Sequence, residues 1–381
     1  MILPLIIICL FAGATIMTHV LVCTGIALAR RKERRLNNRE LPENETVTIV
    51  IPAKDEENTL PELIKHLENQ SFQDFSVVFV NDRSADATDV IMEDYRRRIP
   101  DRVTILRLTE NSGTFNPKQY ALSRGIEAAR GSILLFTDAD CTLPPDWARN
   151  MVKPFAEKDT GMVFGAVITK KTGKYLSRFQ TFDHCFRYYY TAGVAGLNLP
   201  SGGFGNNLAI RKTVLEAIGG YDSIEETATE DAALIAAVRK RTGCRILALT
   251  EPGITVRPEP LDTMRNMARQ ELRWSSGAFF SKDPGARWGY AAVMIFLAGG
   301  LFVLPFIPLW PPLLLVSAAT FASMLSIALT GAISSRMPFF SYWLLLVPNI
   351  LFASLLYTFV NILCLFKVPI EWKGKKLEWK K

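Results

Sequence analysis

One long apolar stretch constrains this chain more than any other feature. Residues 288–366 contain a single charged side chain, Arg336. Such a stretch cannot form the surface of a water-soluble domain, and it is long enough for several bilayer-spanning helices of about 20 residues each. We expect about three transmembrane helices there, near Trp288–Leu309, Pro312–Ile333 and Phe340–Phe366.

A further apolar run, Ile2–Ala29, opens the chain. Its end, Ala27-Leu28-Ala29, looks like a signal-peptide cleavage site, but a signal peptide carries its basic residues before the apolar run and here they follow it. We interpret residues 1–29 as a retained transmembrane anchor with its N-terminus outside. The basic cluster that follows favours a cytoplasmic location for the next segment. It consists of Arg30, Arg31, Lys32, Arg34 and Arg35.

A second basic cluster forms the tail, residues 367–381. Three late crossings would put this tail outside, against the positive-inside tendency. Either that tendency is broken here, or one late segment is re-entrant or lies in the interface, and the sequence leaves both open. Because basic residues gather beside the apolar segments, the net charge of +7 predicts the bilayer as a partner and not nucleic acid.

The middle of the chain alternates short apolar runs with helical patterns. Strands are predicted at Val47–Ile51, Ser76–Val80, Val103–Leu108 and Ser132–Phe136, and helices at Leu60–Asn69, Asp86–Arg98 and Lys118–Ala129. This alternation predicts an α/β domain with a mostly parallel sheet, whose ligands bind at the carboxyl ends of the strands. Thr59 and Glu62 are spaced as a capping box at the first helix. The six cysteines show no paired spacing, so neither a disulfide framework nor a zinc site is expected, and a reducing compartment fits best.

Three of the predicted strands are followed by acidic residues: Glu56 after the first, Asp82 after the second, and Asp138 with Asp140 after the fourth. An aspartate after a strand is often a turn former, but three clusters on one edge would repel one another without a purpose. In an extended turn, residues i and i+2 point the same way, so Asp138 and Asp140 can approach one cation. Oxygen ligands suit Mg²⁺ or Mn²⁺, which also bind phosphate oxygens.

Two features further along add candidate residues. Thr229-Glu230-Asp231 opens a helical run, where helix capping alone explains carboxylates. The alternative is that Asp231 is a general base that takes the proton of an acceptor hydroxyl. The glycine-rich run at residues 200–207 either lets the backbone approach a ligand or is an ordinary loop.

A third motif, Gln270-Glu271-Leu272-Arg273-Trp274, comes just before the late apolar stretch. On a helix, Gln270 and Trp274 are neighbours and Arg273 is adjacent. Arginine and tryptophan also prefer membrane interfaces, which is the simplest explanation of this pentapeptide in isolation.

Taken in order, these motifs resemble glycosyltransferase family 2, specifically its membrane-integrated members such as ceramide glucosyltransferase and bacterial lipid or polysaccharide glycosyltransferases. The family pattern is an aspartate after the second strand, then DxD, then an acidic triplet of the TED type, then QxxRW. All four occur in this order between Thr46 and Phe280: Asp82, Asp138 with Asp140, Thr229-Glu230-Asp231, and Gln270 with Arg273 and Trp274. The resemblance implies an enzyme with a GT-A nucleotide-sugar-binding domain.

The resemblance also implies a role for each residue. Asp231 would be the catalytic base, and Mg²⁺ or Mn²⁺ would lie on Asp138 and Asp140. Five residues would bind the nucleotide-sugar: Glu56, Asp82, Lys118, Asp138 and Asp140. Four would line the acceptor and diphosphate end of the site: Glu230, Gln270, Arg273 and Trp274.

The chain departs from the family pattern at two places. Arg83 stands where the family more usually has glycine, which makes the contact of Asp82 with the nucleotide base less certain than the metal contact. The tail sequence from Trp372 to Lys376 resembles a tryptophan-lysine-glycine-arginine ending of some lipid-modifying relatives, with Lys375 in place of the arginine. A plain interfacial anchor explains that tail equally well.

These inferences predict an inverting transferase that moves a sugar from a nucleotide-diphosphate sugar, by resemblance a UDP-sugar, to a membrane lipid. A processive polysaccharide synthase that exports its polymer, or a non-catalytic nucleotide-sugar-binding membrane protein, are the alternatives. The expected multi-pass layout in the cell membrane is an anchor (1–29), a cytoplasmic GT-A domain (30–259), an interfacial QxxRW helix (260–287), transmembrane helices (288–366) and a basic tail (367–381).

Overall fold

A computed structural model describes residues 2–36, 39–42, 44–110, 116–224, 226–336, 345–372 and 375–377. The start of the third predicted late segment, 340–344, and much of the basic tail lie outside these ranges. The helices are α1 (Ile2–Leu36), α2 (Leu60–Glu68), α3 (Thr88–Arg98), α4 (Pro117–Ala128), α5 (Trp147–Val152), α6 (Tyr175–Gly196), α7 (Lys212–Ala217), α8 (Glu230–Arg241), α9 (Met264–Phe279), α10 (Pro284–Phe302), α11 (Leu314–Ser334) and α12 (Leu346–Leu365). The strands are β1 (Val47–Ala53), β2 (Ser76–Asn81), β3 (Val103–Arg107), β4 (Ile133–Phe136), β5 (Cys141–Thr142), β6 (Thr160–Gly165), β7 (Leu208–Arg211), β8 (Arg245–Leu249), β9 (Arg257–Pro258), β10 (Ile370–Trp372) and β11 (Lys375–Leu377).

A seven-stranded sheet in the order β3-β2-β1-β4-β7-β6-β8 forms the centre of the domain. Neighbours from β3 to β4 are parallel, β7 runs antiparallel to both β4 and β6, and β6 is parallel to β8. Its central strands are buried on both faces, as the continuous apolar run of β1 requires. The predicted α/β class with a mostly parallel sheet is therefore confirmed.

The four predicted strands and three predicted helices are present, with ends shifted by one or two residues. Strands β6, β7 and β8 lie in a region for which the sequence analysis predicted no strands. They are apolar runs of four to six residues, and runs that short do not distinguish a strand from a buried helical segment.

The predicted capping box at α2 is wrong. Thr59 is the residue before the helix, but its hydroxyl donates to Oε2 of Glu56 at 2.7 Å instead of bonding to the helix. Glu62 pairs with Lys170 across the surface. The chain turns tightly here, because the Thr59 and Leu60 amides both donate to the Glu56 carbonyl oxygen, and the Thr59 side chain therefore fixes Glu56.

Within the described residues, four helices are long and apolar enough to cross a membrane: Ile2–Leu36, Pro284–Phe306, Pro311–Ser334 and Leu346–Leu365. The first continues past the predicted anchor end at residue 29, because its last turns pack on the domain. Glu33 accepts hydrogen bonds from the Thr250 amide (2.7 Å), the Thr250 hydroxyl (2.6 Å) and the Glu251 amide (3.1 Å). The anchor and the sheet are thus one packed unit.

Helix α6 joins the domain to the apolar helices. It packs along α1 and α11, and a Cβ added at Gly196 would lie 1.8 Å from the Gly25 carbonyl oxygen. Only glycine permits so close an approach of two helix backbones. An aromatic and basic stretch begins at Tyr175 and covers residues 175–190, and the sequence leaves open whether it lies in the membrane interface or in the core. In the structure it lies in α6 and is largely packed core, bordered by apolar helices.

The last apolar helix, α12, packs against both α9 and α10, and β10 after it lies against α9. The chain therefore turns back toward the QxxRW helix after Leu365, and does not lead away from the domain.

Candidate active site

A cavity of about 330 Å³ opens at the carboxyl edge of the sheet. It is bounded by the loops after β1, β2 and β4, the glycine-rich run, the start of α8 and one face of α9. All ten residues singled out from the sequence line this cavity: Glu56, Asp82, Lys118, Asp138, Asp140, Glu230, Asp231, Gln270, Arg273 and Trp274. Positions dispersed over more than two hundred residues are brought together at one place.

The DxD loop follows β4 directly and faces the start of α4. Lys118 Nζ lies 2.7 Å from Oδ2 of Asp138 and 3.9 Å from Oε1 of Glu230. Burial alone would lower the pKa of Lys118, but Asp138 and Glu230 more than offset it and hold the pKa above its ordinary value. The lysine is therefore a fixed positive charge between two acidic motifs.

Asp140 shows the effect of crowding carboxylates. Burial, followed by repulsion from Asp138 and Glu56, raises the pKa of Asp140 to about 6. A cation would relieve this repulsion, and hard oxygen ligands are the kind that Mg²⁺ and Mn²⁺ take. Among the described residues no cluster of three or more metal-binding side chains occurs. Two carboxylates completed by substrate phosphate oxygens are nevertheless a usual Mg²⁺ arrangement, so the residues fit such an ion.

Asp231 lines the same cavity as the DxD loop and lies in the first turn of α8. Its Oδ2 accepts the Gly205 amide at 2.9 Å, and its Oδ1 accepts the Ala232 amide at 2.7 Å. Burial, together with the charge of Glu230, raises the pKa of Asp231 to about 6. A carboxyl group with this pKa is ionised at neutral pH yet basic enough to accept a proton.

The loop after β2 carries Asp82 and its unusual neighbour. Arg83 has a φ of 58°, the left-handed conformation that glycine adopts most easily. Its guanidinium folds back onto Oδ1 of Asp82, with Nε at 2.8 Å and Nη2 at 2.6 Å. The conformation accounts for glycine being usual here, and the arginine places a charge beside the aspartate.

The QxxRW residues Gln270, Arg273 and Trp274 line the part of the cavity that α9 forms. Arg273 Nη1 donates to the Ala228 carbonyl oxygen at 2.6 Å, which holds the loop before α8 against α9. The centre of the Trp274 ring lies 5.5 Å from the centre of the His184 ring. This end of the cavity is thus aromatic, whereas the DxD end is ionic.

Several residues that line the cavity were not singled out from the sequence, and His184 is the most informative of them. Its Nδ1 lies 2.8 Å from the Thr169 hydroxyl, and burial lowers the pKa of His184 to about 4, so the ring is neutral at physiological pH. His184 lies in the aromatic stretch that begins at Tyr175. The density of aromatic and basic residues could have drawn attention to this stretch, but nothing in the sequence distinguishes His184 from its neighbours.

The fold and the cavity define an α/β domain of the GT-A type. Residues 48–219 match the sequence model of the family described as Glycosyl transferase family 2. This segment of the chain, residues 48–219, is a glycosyltransferase family 2 domain.

Curated relatives are similar over part of the chain. The chain is 27% identical over 252 residues to a probable glycosyltransferase, YdaM, of Bacillus subtilis, covering 64% of this chain and 57% of the relative. It is 31% identical over 137 residues to an undecaprenyl-phosphate 4-deoxy-4-formamido-L-arabinose transferase of Pseudomonas fluorescens, covering 35% of this chain and 38% of the relative. The matches thus span less than two thirds of these relatives' lengths. Among solved structures, a mannosyltransferase of Pyrobaculum calidifontis in complex with GDP-Man and Mn²⁺ aligns over 94% of this chain and 96% of its own, with 17% identity and a TM-score of 0.49.

Proposed function

We propose that this chain is an inverting glycosyltransferase that moves a sugar from a nucleotide-diphosphate sugar, a UDP-sugar, to the hydroxyl of a membrane lipid. One observation carries the proposal: the carboxylate of Asp231 faces the same cavity as the acidic pair Asp138 and Asp140. A base and a diphosphate-binding pair that line one cavity are what displacement at an anomeric carbon needs.

The donor end takes the nucleotide diphosphate. Asp138 and Asp140 would hold Mg²⁺ or Mn²⁺, which neutralises the charge of the departing diphosphate. Lys118 and Arg273 add positive charge at this end, and Glu56 and Asp82 line the part of the cavity next to β1 and β2, where the nucleoside would lie.

The reaction is then a single displacement. The acceptor hydroxyl oxygen forms a bond to the anomeric carbon while the bond from that carbon to the diphosphate oxygen breaks on the opposite face. The hydroxyl proton passes to the carboxylate of Asp231, and the bonding pair leaves with the nucleoside diphosphate. Attack opposite the leaving group inverts the anomeric configuration, and the amides of Gly205 and Ala232 keep the carboxylate oriented.

A lipid acceptor is supported by the position of the site beside apolar helices. Helix α9, which carries Gln270, Arg273 and Trp274, is followed after four residues by an apolar helix that starts at Pro284. The similarity to a transferase named for undecaprenyl phosphate points in the same direction. The basic cluster after α1 supports a domain on the cytoplasmic side of the cell membrane. The cytoplasm is also where nucleotide-sugars are made.

The test is direct. The full-length chain, purified in lipid nanodiscs, is incubated with a panel of radiolabelled UDP- and GDP-sugars and a total lipid extract, with Mg²⁺ and Mn²⁺. Label in an organic-extractable glycolipid of inverted anomeric configuration is the expected result. Retention of configuration, or donor hydrolysis alone with every lipid fraction, would refute the proposal.

A further inference from the structure

A buried ionic cluster of Asp183, Arg187 and Glu271 lies next to Trp274, and none of these three residues lines the cavity. Arg187 on α6 contacts two carboxylates: its Nε lies 3.0 Å from Oδ2 of Asp183, and its Nη2 pairs with Glu271 of α9. Both carboxylate side chains are 1% exposed. Glu271 follows Gln270 in the QxxRW motif, so the site helix α9, which carries that motif, also contributes a residue to the cluster.

Aromatic rings enclose the same guanidinium. Its central carbon lies 5.3 Å from the centre of the Trp274 ring and 4.6 Å from that of Tyr357. The hydroxyl of Tyr357 donates to Asp183. Arg187 therefore joins three elements, namely α6, the site helix α9 and the last apolar helix α12.

Glu271 is the buried carboxylate that α9 contributes to the cluster. Burial, opposed by Arg187 and reinforced by Asp183, raises the pKa of Glu271 well above its ordinary value. Arg187 is paired with two carboxylates, lies against two rings and does not line the cavity, so it is not a ligand for a substrate phosphate. Its contact with the site goes through the Trp274 ring.

We propose that Arg187 is a positioning residue: it fixes the indole of Trp274 at the acceptor end of the cavity and ties it to α12. This inference rests on the proposed function, because it assigns Trp274 to the acceptor. A planar guanidinium can stack between two rings while it bonds to carboxylates in its own plane, and an ammonium group cannot do both. The proposed metal-binding pair and Lys118 at the donor end lie on other elements, so this arrangement should affect acceptor binding more than donor binding.

The test compares Arg187→Lys with Arg178→Lys, the same change at an exposed position of the same helix. In full-length protein in nanodiscs, Arg187→Lys should raise the KM for the lipid acceptor about tenfold, the size expected for loss of a desolvated cation–ring contact. The kcat and the KM for the nucleotide-sugar should stay within about twofold. Arg178→Lys should change none of the three. A purely structural role would lower the yield or the Tm and leave the acceptor KM of the folded fraction unchanged.

A second measurement does not need activity. Protein labelled with 5-fluorotryptophan gives ¹⁹F resonances from its seven tryptophans, and Trp274→Phe identifies the one from Trp274. Arg187→Lys should shift or broaden that resonance, whereas Arg178→Lys should not. Tyr357→Phe keeps the ring but removes the hydroxyl bond to Asp183, so it should shift the Trp274 resonance less than Arg187→Lys does. If Arg187→Lys does not fold, the comparison is made with Tyr357→Phe.

The outcomes separate the two proposals. Transfer to no lipid by the unmodified chain would refute the proposed function, and the ¹⁹F comparison would still decide whether Arg187 fixes Trp274. An unshifted Trp274 resonance with an unchanged acceptor KM in folded Arg187→Lys protein overturns the positioning role.

Discussion

The backbone amide of Gly205 donates to Oδ2 of Asp231 at 2.9 Å, which joins the glycine-rich run to the acidic triplet. A Cβ at Gly205 would lie 3.4 Å from both Asp231 Cβ and Glu230 Oε1. The run is therefore not an ordinary loop, because its backbone approaches the proposed base closely. Each Asp231 oxygen accepts one amide and keeps a second lone pair for an acceptor proton.

Asp231→Asn should lower kcat by about 10²-fold or more, because an amide cannot take the acceptor proton. Binding of the nucleotide-sugar, measured by calorimetry on the same protein, should change little. Asp222→Asn is the matched control, since Asp222 is an exposed aspartate in the segment just before α8. Normal turnover by Asp231→Asn would show that the carboxylate only caps the helix and is not the base.

The pH profile of kcat/KM should show an acidic limb near pH 6. Asp231 must be ionised to act as a base, and its pKa is raised to about 6, so activity rises as pH increases through that value. Glu230 contributes to the shift by repulsion, and Glu230→Gln should therefore move the limb to lower pH. Profiles are compared at saturating metal.

Asp140 titrates in the same range, which makes the metal dependence of the limb informative. Protons and metal compete for Asp140 but not for Asp231. If the acidic limb of the kcat/KM profile stays at the same pH when the Mg²⁺ concentration is raised tenfold, the limb reports the ionisation of Asp231. A limb that moves steadily to lower pH belongs to the DxD carboxylate and would contradict the assignment to Asp231.

Divalent metal should be required for transfer. Chelation with EDTA should abolish activity, and added Mg²⁺ or Mn²⁺ should restore it. Asp140→Asn should lower kcat/KM by about 10²-fold or more, since a metal contributes several kcal/mol to stabilising the departing charge. A surface control is Asp146→Asn, in the loop before α5, where the exposed Asp146 carboxylate accepts a hydrogen bond from the Ser71 hydroxyl at 2.6 Å. Full activity in excess EDTA would remove the metal from the proposed mechanism.

The residues that line the donor end were easier to predict from the sequence than the residues that hold the site in place. Residues directly after buried parallel strands, such as Asp82 and Asp138, must meet at one sheet edge, so a local pattern sufficed. Arg187 and Glu271 are 84 positions apart, and no local pattern signals that they meet through two helices. Thr59 shows the opposite error: its spacing to Glu62 suited a capping box, but a tight turn directs its hydroxyl to Glu56.

Membrane orientation is the fourth prediction. In a cysteine-free background, Asp101→Cys in the domain should react with a membrane-impermeant maleimide only after permeabilisation, because the basic cluster after α1 favours the cytoplasm. Leu309→Cys, in the exposed connection between α10 and α11, should react from outside. Lys367→Cys should behave like Asp101→Cys, because β10 lies against α9, and this result requires that one of the last two apolar helices does not cross the bilayer completely. Labelling of the domain from outside would overturn the orientation.

The last prediction concerns the product, which should be a lipid bearing one added sugar. Polymer export needs a channel lined by groups that bond to a passing glycan. Several hydroxyl groups of the described apolar helices instead join those helices to each other. Ser317 donates to the Gly300 carbonyl oxygen (2.7 Å), Thr320 to that of Phe296 (3.0 Å), and Tyr290 to Oδ1 of Asn361 (3.1 Å).

A lipid acceptor needs no such channel, because it reaches the interface from within the bilayer, and the α9 residues at the aromatic end of the cavity lie next to the apolar helices. Purified protein is supplied with one labelled nucleotide-sugar and either a hydroxyl-bearing lipid or a polyprenyl phosphate, and the products are separated by mass. We expect a single organic-extractable product one sugar heavier than the hydroxyl lipid, since Asp231 is needed only where a proton must be removed. Transfer to the polyprenyl phosphate that survives Asp231→Asn would show that the acceptor is an anion and not a hydroxyl. A water-soluble ladder of lengthening oligosaccharides would show a processive synthase, and the helix-joining hydrogen bonds would then have to open for export.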